Sequence, residues 1–292
     1  MRSTWRVIAL DTATDRGGVA LVEAPRAEPA AAQVVASAWA ERGGQHSANL
    51  LPLADSLLAA TGWKPADLDL VAVTTGPGSF TGLRIGVTTA KGLAYGWRKP
   101  VVPVGTLDVL AAQAGWSLAP VLPGLGAGWG EQERGDGRFR VVIGAALRSR
   151  RGEFYVQLFE LPPQPLPLAL PALGEPQVMR LADWQAAGVA AGESDALDVS
   201  SSNGESLLVM AGEASLCRQL RGLWPGGRGR IGHMELRWAG EGWNEWDKPE
   251  PGTVGRLAVA QVAAADPGGA ADARDAYSPL TVVPRYYSRS EV

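Results

Sequence analysis

Apolar positions in the first 116 residues occur either in short runs or at helical spacing. The short runs, which are typical of buried strands, occupy residues 7–10, 19–22, 33–39, 70–75 and 101–104. The helical spacing predicts helices over residues 47–61, 79–96 and 106–116. The order is β-β-β-α-β-α-β-α, an antiparallel start followed by crossover helices. It predicts an α/β layered sheet rather than a purely doubly wound one.

A weaker version of this pattern returns in the second half of the chain. Strands are expected at 140–145, 154–159, around Val178 and at 207–210, with helices at 181–187 and 253–265. We therefore predict two domains, residues 1–116 and 117–292, and the helix at 253–265 could pack back on the first. Segments rich in Gly, Pro and Trp are interpreted as surface loops, at 119–137, 161–176 and 222–252. The tryptophans of the last loop could instead form a binding patch.

The predicted helix at 79–96 is unusually rich in glycine, and each glycine costs about 1 kcal/mol relative to alanine. Ser79 is suited to cap its start. Beside an apolar stripe runs a second stripe of mostly small residues, Gly82, Gly86, Thr89 and Leu93. Such a helix is expected to be buried on two sides, against its own sheet and against a second helix in this chain or in a partner. Internal packing alone explains the pattern equally well.

Composition narrows the possible classes of function. The net charge is −3, so the basic surface of a protein that holds nucleic acid by itself is not expected. Cys217 is the only cysteine, which excludes an intrachain disulfide and a cysteine-based zinc cluster. The sequence has no apolar run of 18 residues and no signal-peptide pattern at its start. We expect a cytoplasmic protein with no membrane association.

Three segments carry a resemblance to a known family. They are residues 8–14 (IALDTAT), residues 46–52 (HSANLLP) and residues 74–94 (TTGPGSFTGLRIGVTTAKGLA). In amino-acid sequence and in their order along the chain, these segments resemble the TsaB family, also called YeaZ. The resemblance is strong over residues 6–116. Residues 74–94 match neither of two common nucleotide-binding loops. The P-loop motif requires a glycine directly before its lysine, which Lys91 lacks, and the Rossmann motif requires a third glycine where this chain has Thr81.

The resemblance implies an actin-like (ASKHA, ribonuclease H-like) two-domain fold with mixed sheets and crossover helices. It also implies an accessory subunit that pairs with the related catalytic subunit TsaD in threonylcarbamoylation of adenosine 37 in tRNA, with the ATPase TsaE in the larger complex and tRNA contacted only indirectly.

Family members pair with TsaD through the helices corresponding to residues 47–61 and 79–96, and can form homodimers through the same surface. Gly86→Leu is expected to block that association by steric overlap and to leave the fold largely intact. The expected partner contacts are Leu50, Leu53, Leu57, Gly82, Gly86, Thr89 and Leu93.

The residues expected for chemistry depart from those of active relatives. The resemblance places the two metal-binding histidines of TsaD at Thr106 and Leu110, of which the first is a poor ligand and the second none. The phosphate turn of actin-like ATPases has glycine where this chain has Ala13. Asp11 could hold Mg²⁺ through water, although a strand-end cap is the favoured interpretation. We expect no catalytic residue, no cofactor and no metal.

Two other functions remain open at this point. One is an active actin-like ATPase or small-molecule kinase, and the other is a self-associating protein without a role in tRNA modification.

Three arginines mark the turn of the predicted second-domain hairpin: Arg148, Arg150 and Arg151. In an actin-like fold this turn faces the cleft, where the guanidinium groups could contact phosphate of a nucleotide or of tRNA. The alternative is a solvated turn whose arginines pair with Glu153 or nearby acids, which is the commoner outcome for charge runs.

Overall fold

The computed structural model describes residues 2–40, 46–120, 140–149, 152–162, 166–189, 206–223, 228–231, 234–238, 248–265 and 277–287. The chain divides into two compact units. The first consists of residues 1–109 and 248–286, and the second of residues 110–247 and 287–292. The first unit is therefore assembled from two separate stretches of sequence.

Strands and helices follow one another along the chain in an order close to the predicted one. They are β1 (Thr4–Asp11), β2 (Gly18–Pro25), β3 (Gln33–Trp39), α1 (His46–Thr61), β4 (Leu70–Gly76), α2 (Phe80–Trp97), β5 (Val101–Gly105), α3 (Thr106–Leu118), β6 (Arg140–Arg148), β7 (Glu153–Leu161), β8 (Gln177–Arg180), α4 (Leu181–Val189), β9 (Ser206–Gly212), α5 (Ala214–Gly222), β10 (Arg228–Ile231), β11 (Met234–Trp238) and α6 (Pro251–Ala265).

The sheet of the first unit has the strand order β3-β2-β1-β4-β5. Strands β1, β2 and β3 pair antiparallel, whereas β4 and β5 join the sheet in parallel. The parallel strands are reached through α1 and α2, as crossover connections require.

Helices cover both faces of this first sheet. Ile8 and Leu10 of β1 belong to the core beneath α1 and α2, while Ala9 and Val22 lie against Gly255 of α6 on the opposite face. Successive strand residues point to opposite faces, so both sets are buried. This explains why β1 and β4 are almost continuously apolar rather than alternating.

The second unit repeats this plan with an added strand. Its sheet has the order β10-β11-β9-β6-β7-β8. The run β8-β7-β6-β9-β11 has the same antiparallel and parallel pairings as β3-β2-β1-β4-β5. Its core contains Phe154 and Trp184, whose rings meet edge to face with centroids 5.8 Å apart.

The loop assignment for residues 222–252 was partly wrong. The hairpin of β10 and β11 lies inside it, and α5 precedes it although no helix was predicted there. These strands are only four and five residues long, so they carry too little alternation to be recognised. Residues 121–137 of the first predicted loop lie outside the described residues, as do Trp224, Trp243 and Trp246.

A contact between the β1–β2 turn and the first turns of α2 fixes that helix on the sheet. Ser79 caps α2, its Oγ accepting a hydrogen bond of 3.2 Å from the N–H of Gly82. The hydroxyl of Thr12 donates a hydrogen bond of 2.7 Å to the carbonyl oxygen of Gly82. The N–H of Ser79 donates a hydrogen bond of 2.7 Å to the carbonyl oxygen of Ala13. We call Thr12, Ala13, Ser79, Gly82 and Gly86 the turn–helix contact.

Glycine is required in this contact because there is no space for a side chain. A Cβ atom on Gly82 would overlap the carbonyl oxygen of Thr12, and one on Gly86 would overlap the Thr12 hydroxyl. The assignment of Gly82 and Gly86 to a partner surface is therefore corrected, since the group that approaches them is Thr12 of the same chain. The overlap with Thr12 also argues against the expectation that Gly86→Leu leaves the fold largely intact.

We predict opposite stability effects for two glycines of α2. Gly86→Leu should lower the free energy of unfolding by about 1–3 kcal/mol or more, because its side chain overlaps Thr12. Gly92→Ala should raise it by about 0.5–1 kcal/mol, because nothing lies within 4 Å of the added methyl group and alanine favours the helix. Urea unfolding of the purified chain measures both, and equal effects at the two positions would contradict the contact.

Candidate functional site

The predicted partner residues on α1 and α2 divide into buried and half-buried groups. Leu50 and Leu57 are buried in the core of the first unit, so their assignment as surface contacts is corrected together with that of Gly82 and Gly86. Leu53, Thr89 and Leu93 are half-buried at the edge of the same core. The apolar stripe that was predicted to be a partner surface mostly faces the sheet, because its side chains fill the core of the first unit.

The outward faces of the two helices carry other residues. The exposed positions include Leu51, Pro52, Asp55, Ser56 and Ala59 on α1, and Thr81, Arg84, Thr88, Gly92, Tyr95 and Gly96 on α2. We call these residues the outer helix face. Leu51 is 49% exposed and Tyr95 is 81% exposed, so it includes large apolar groups. Sequence reasoning could have found them at the positions that the core stripe leaves over.

Asp11 ends β1 next to the turn–helix contact and is fully buried. Its Oδ1 accepts a hydrogen bond of 2.7 Å from the Thr74 hydroxyl and one of 3.3 Å from the N–H of Ala13. Its Oδ2 has no hydrogen-bond partner in the part of the chain that the structure describes. Burial raises the pKa of Asp11 to about 7, despite these hydrogen bonds. The carboxyl group is therefore partly protonated near neutral pH.

The β1–β2 turn, where an actin-like ATPase would bind phosphate, is occupied by the chain itself. The N–H of Ala13 donates to Asp11, and the N–H of Thr12 faces the Thr74 hydroxyl at 3.5 Å. Thr12 and Ala13 are buried, and their carbonyl oxygens pack against Gly82 and Gly78. A phosphate group would need these backbone N–H groups and access from solvent.

The positions that resemblance matched to metal ligands lie in α3. Thr106 is its first residue and is buried, as is Leu110. Over the described ranges, no group of three His, Cys, Asp or Glu side chains is arranged to hold a metal ion. His46 begins α1, but its side chain is not described, and His233 lies outside the described residues. Asp11 is accordingly not part of any such group among the described residues.

Arg148 ends β6 and is engaged by neighbouring side chains. Its Nε lies 3.4 Å from a carboxylate oxygen of Glu213, and its Nη2 donates a hydrogen bond of 3.3 Å to the hydroxyl oxygen of Ser215. Glu153 pairs with Arg180 rather than with Arg148, at 3.7 Å. Arg150 and Arg151 lie outside the described residues. An anion contact at the three arginines stays a prediction.

No helix among the described residues combines the length and the apolar character needed to cross a membrane.

Sequence comparison relates the chain to proteins of tRNA modification. The family model described as "TsaD: tRNA N6-adenosine threonylcarbamoyltransferase" matches residues 39–181. The tRNA threonylcarbamoyladenosine biosynthesis protein TsaB of Escherichia coli is 33% identical over 150 residues, which cover 51% of this chain and 53% of that protein. The TsaB protein of Bacillus subtilis is 31% identical over 179 residues, or 61% of this chain and 63% of its own length. The resemblance to the TsaB family is confirmed by these relatives.

A tRNA N6-adenosine threonylcarbamoyltransferase of Thermus thermophilus is also similar, at 35% identity over 199 residues, covering 63% of this chain and 58% of that protein. The chain thus spans between half and two thirds of the length of these curated relatives.

Structural comparison confirms the predicted fold class. The structure titled "YeaZ from Pseudomonas aeruginosa" has a TM-score of 0.57 and 21% identity, and the match covers 98% of this chain and 100% of that one. At this identity the match establishes the shared fold alone, an α/β fold with mixed sheets.

We predict that Asp11 makes the stability of the chain fall between pH 4 and pH 8. Its pKa is raised from 3.8 to about 7 in the folded state, so the folded chain binds more protons than the unfolded chain across this window. Its favourable contribution is complete below pH 4 and is lost as the pH rises through 7. A pKa difference of this size between the folded and unfolded chain corresponds to a stability change of up to about 4 kcal/mol.

Asp11→Asn removes the titrating carboxyl group, so this variant is the control with which the wild type is compared. Thermal melting of both proteins from pH 4 to pH 8 should show a Tm difference that moves in favour of Asp11→Asn as the pH rises. Parallel melting curves across the whole range would show that Asp11 titrates normally.

Proposed function

We propose that this chain, a relative of the TsaB proteins, is a non-catalytic subunit of a cytoplasmic complex that threonylcarbamoylates adenosine in tRNA. Its partner there is a TsaD-type catalytic subunit, and a TsaE-type ATPase joins the larger assembly. The relatives named tRNA threonylcarbamoyladenosine biosynthesis protein TsaB support this assignment. The chain itself contacts tRNA only through the complex, in agreement with its net charge of −3.

The observation that carries the non-catalytic assignment is the filled β1–β2 turn. Asp11, Thr12 and Ala13 are buried, and the backbone N–H groups of Thr12 and Ala13 are directed at Thr74 and Asp11. A chain that turns over ATP would need this turn open to phosphate and magnesium. The turn–helix contact instead uses the same residues to hold α2.

Similarity to a TsaD protein makes a catalytic role the nearest competitor within this pathway. The two α3 positions matched to the metal-binding histidines of TsaD are Thr106 and Leu110. A hydroxyl is a poor ligand for a transition metal, and an isobutyl group is none. These two residues support the accessory role over the catalytic one.

We propose the outer helix face as the surface that binds the TsaD-type subunit. It combines exposed apolar groups such as Leu51 and Tyr95 with small residues, notably Thr88 and Gly92, that let another helix approach closely. Leu53, Thr89 and Leu93 remain part of the proposal as half-buried residues at its border. A second copy of the chain could bind the same face, so homodimer and heterodimer would exclude one another.

We predict that Leu51→Glu and Thr88→Arg each weaken binding to the TsaD-type subunit of the same organism. Each should raise the Kd about tenfold or more, because the new charge would be buried in the complex without a partner. Both residues are exposed in the free chain, so the Tm should not change. Isothermal titration calorimetry measures the Kd.

Ala66→Glu is the matched control, an exposed position on the 3-10 turn Pro65–Asp67, away from both helices. It should bind like the wild type. Normal affinity in both face variants would refute the outer helix face as the docking surface, and the absence of any wild-type binding would refute the pairing itself.

We predict that the isolated chain neither binds ATP with micromolar affinity nor hydrolyses it. Calorimetric titration with ATP and Mg²⁺ should give no binding heat, and phosphate release should match that of Asp11→Ala. Steady hydrolysis by the wild type that Asp11→Ala abolishes would establish the alternative, an active actin-like ATPase or small-molecule kinase.

A further inference from the structure

Residues 277–286 of the first unit run beside β5, β4 and α2, and we call them the strap. The carbonyl oxygen of Tyr277 accepts a hydrogen bond of 2.9 Å from the N–H of Val101. The N–H of Arg285 donates a hydrogen bond of 2.6 Å to the carbonyl oxygen of Thr75. Between these points the side chain of Val282 is buried in the core shared with α1 and α2. The strap is therefore fixed to the fold at both ends and in the middle.

The strap is also joined to α2 by side chains. The Nζ of Lys91 donates a hydrogen bond of 3.0 Å to the carbonyl oxygen of Val282. The Nε of Arg84 lies 3.3 Å from the hydroxyl oxygen of Tyr286. The rings of Phe80 and Tyr286 are 5.0 Å apart at the centroids and inclined by 37°. The guanidinium of Arg84 lies 3.8 Å from the centroid of the Phe80 ring. Phe80, Arg84 and Tyr286 form one group, the aromatic–arginine cluster.

This cluster is open to solvent although its members hold one another in place. Phe80 is 40% exposed and Tyr286 is 51% exposed, and Arg84 is exposed as well. Ring–ring and cation–π contacts restrict the three side chains before any partner arrives, which reduces the entropy lost on binding. Aromatic residues and arginine are also the types that dominate binding energy at protein interfaces.

The charged residues that α2, its C-terminal end and the strap contribute all have one sign. The charged side chains from residue 80 to 99 are Arg84, Lys91, Arg98 and Lys99, and the strap adds Arg285. Neither stretch contains an acidic residue, although the whole chain carries a net charge of −3. A complementary partner surface is therefore acidic around an apolar centre.

We propose that the aromatic–arginine cluster is the anchor by which the TsaD-type subunit docks, and that the strap forms part of that interface. This inference rests on the proposed function. Arg84 belongs to both the cluster and the outer helix face, so one continuous surface reaches from α2 to the strap. The partner contributes a carboxylate to Arg84 and an apolar group that covers the rings of Phe80 and Tyr286.

The test titrates the TsaD-type subunit into variants of the full chain by isothermal titration calorimetry. Phe80→Ala, Tyr286→Ala and Arg84→Glu should each raise the Kd at least tenfold, and Tyr286→Phe, which keeps the ring, should recover most of the affinity. Ala66→Glu is again the matched control, because this exposed position lies outside both helices and outside the strap. It should bind like the wild type.

Phe80→Ala keeps the result interpretable if Tyr286→Ala releases the strap, because Phe80 belongs to α2 and not to the strap. Amide hydrogen exchange at Arg285 reports whether the strap is attached, and protection should persist in Phe80→Ala. Wild-type affinity in both Phe80→Ala and Arg84→Glu would overturn the anchor.

The failure of this inference can be distinguished from failure of the proposed function. If the wild type does not bind the TsaD-type subunit at all, the proposed function fails and the anchor fails with it. If Leu51→Glu and Thr88→Arg weaken binding while the cluster variants do not, only the anchor fails. If the cluster variants change sedimentation of a homodimer or binding of tRNA and leave the subunit affinity unchanged, the TsaD-type subunit is the wrong partner for the cluster.

Discussion

The absence of side chains at two positions of α2 determines how the first unit is organised. Because Gly82 and Gly86 have no Cβ, Thr12 can hydrogen-bond to the helix backbone and the β1–β2 turn can lie directly on it. The helix is then held at a fixed distance from the sheet, and its other side is presented to solvent. Asp11 and Ala13 are buried next to this contact, so one arrangement both positions the outer helix face and closes the β1–β2 turn to solvent.

Burial of Asp11 follows from that arrangement and has an electrostatic cost. A carboxyl group without solvent resists ionisation, and one of its oxygens has no partner among the described residues. The neighbouring hydroxyl of Thr74 and the backbone of the turn stabilise the ionised carboxylate only in part.

Much of the fold could be predicted from sequence because the first unit obeys local rules. Ser79 caps α2 as its residue type suggests, and the strands of the first sheet lie where the apolar runs lie. The burial of the predicted partner residues was not foreseen, since an apolar or small-residue stripe does not reveal which neighbour covers it. Leu50 and Gly86 proved to be core positions. The pairing of Phe80 with Tyr286 joins residues 206 positions apart, so only tertiary structure reveals it.

The discontinuity of the first unit has a consequence for synthesis on the ribosome. Its sheet is complete once residue 105 has been made, but α6, which covers one face, begins at Pro251. At roughly 5–20 residues per second, translation of the intervening residues takes on the order of ten seconds. Throughout that interval the apolar face around Ala9 and Val22 is uncovered, while residues 110–247 of the second unit emerge. The nascent first unit is thus a natural client for chaperones until α6 has been made.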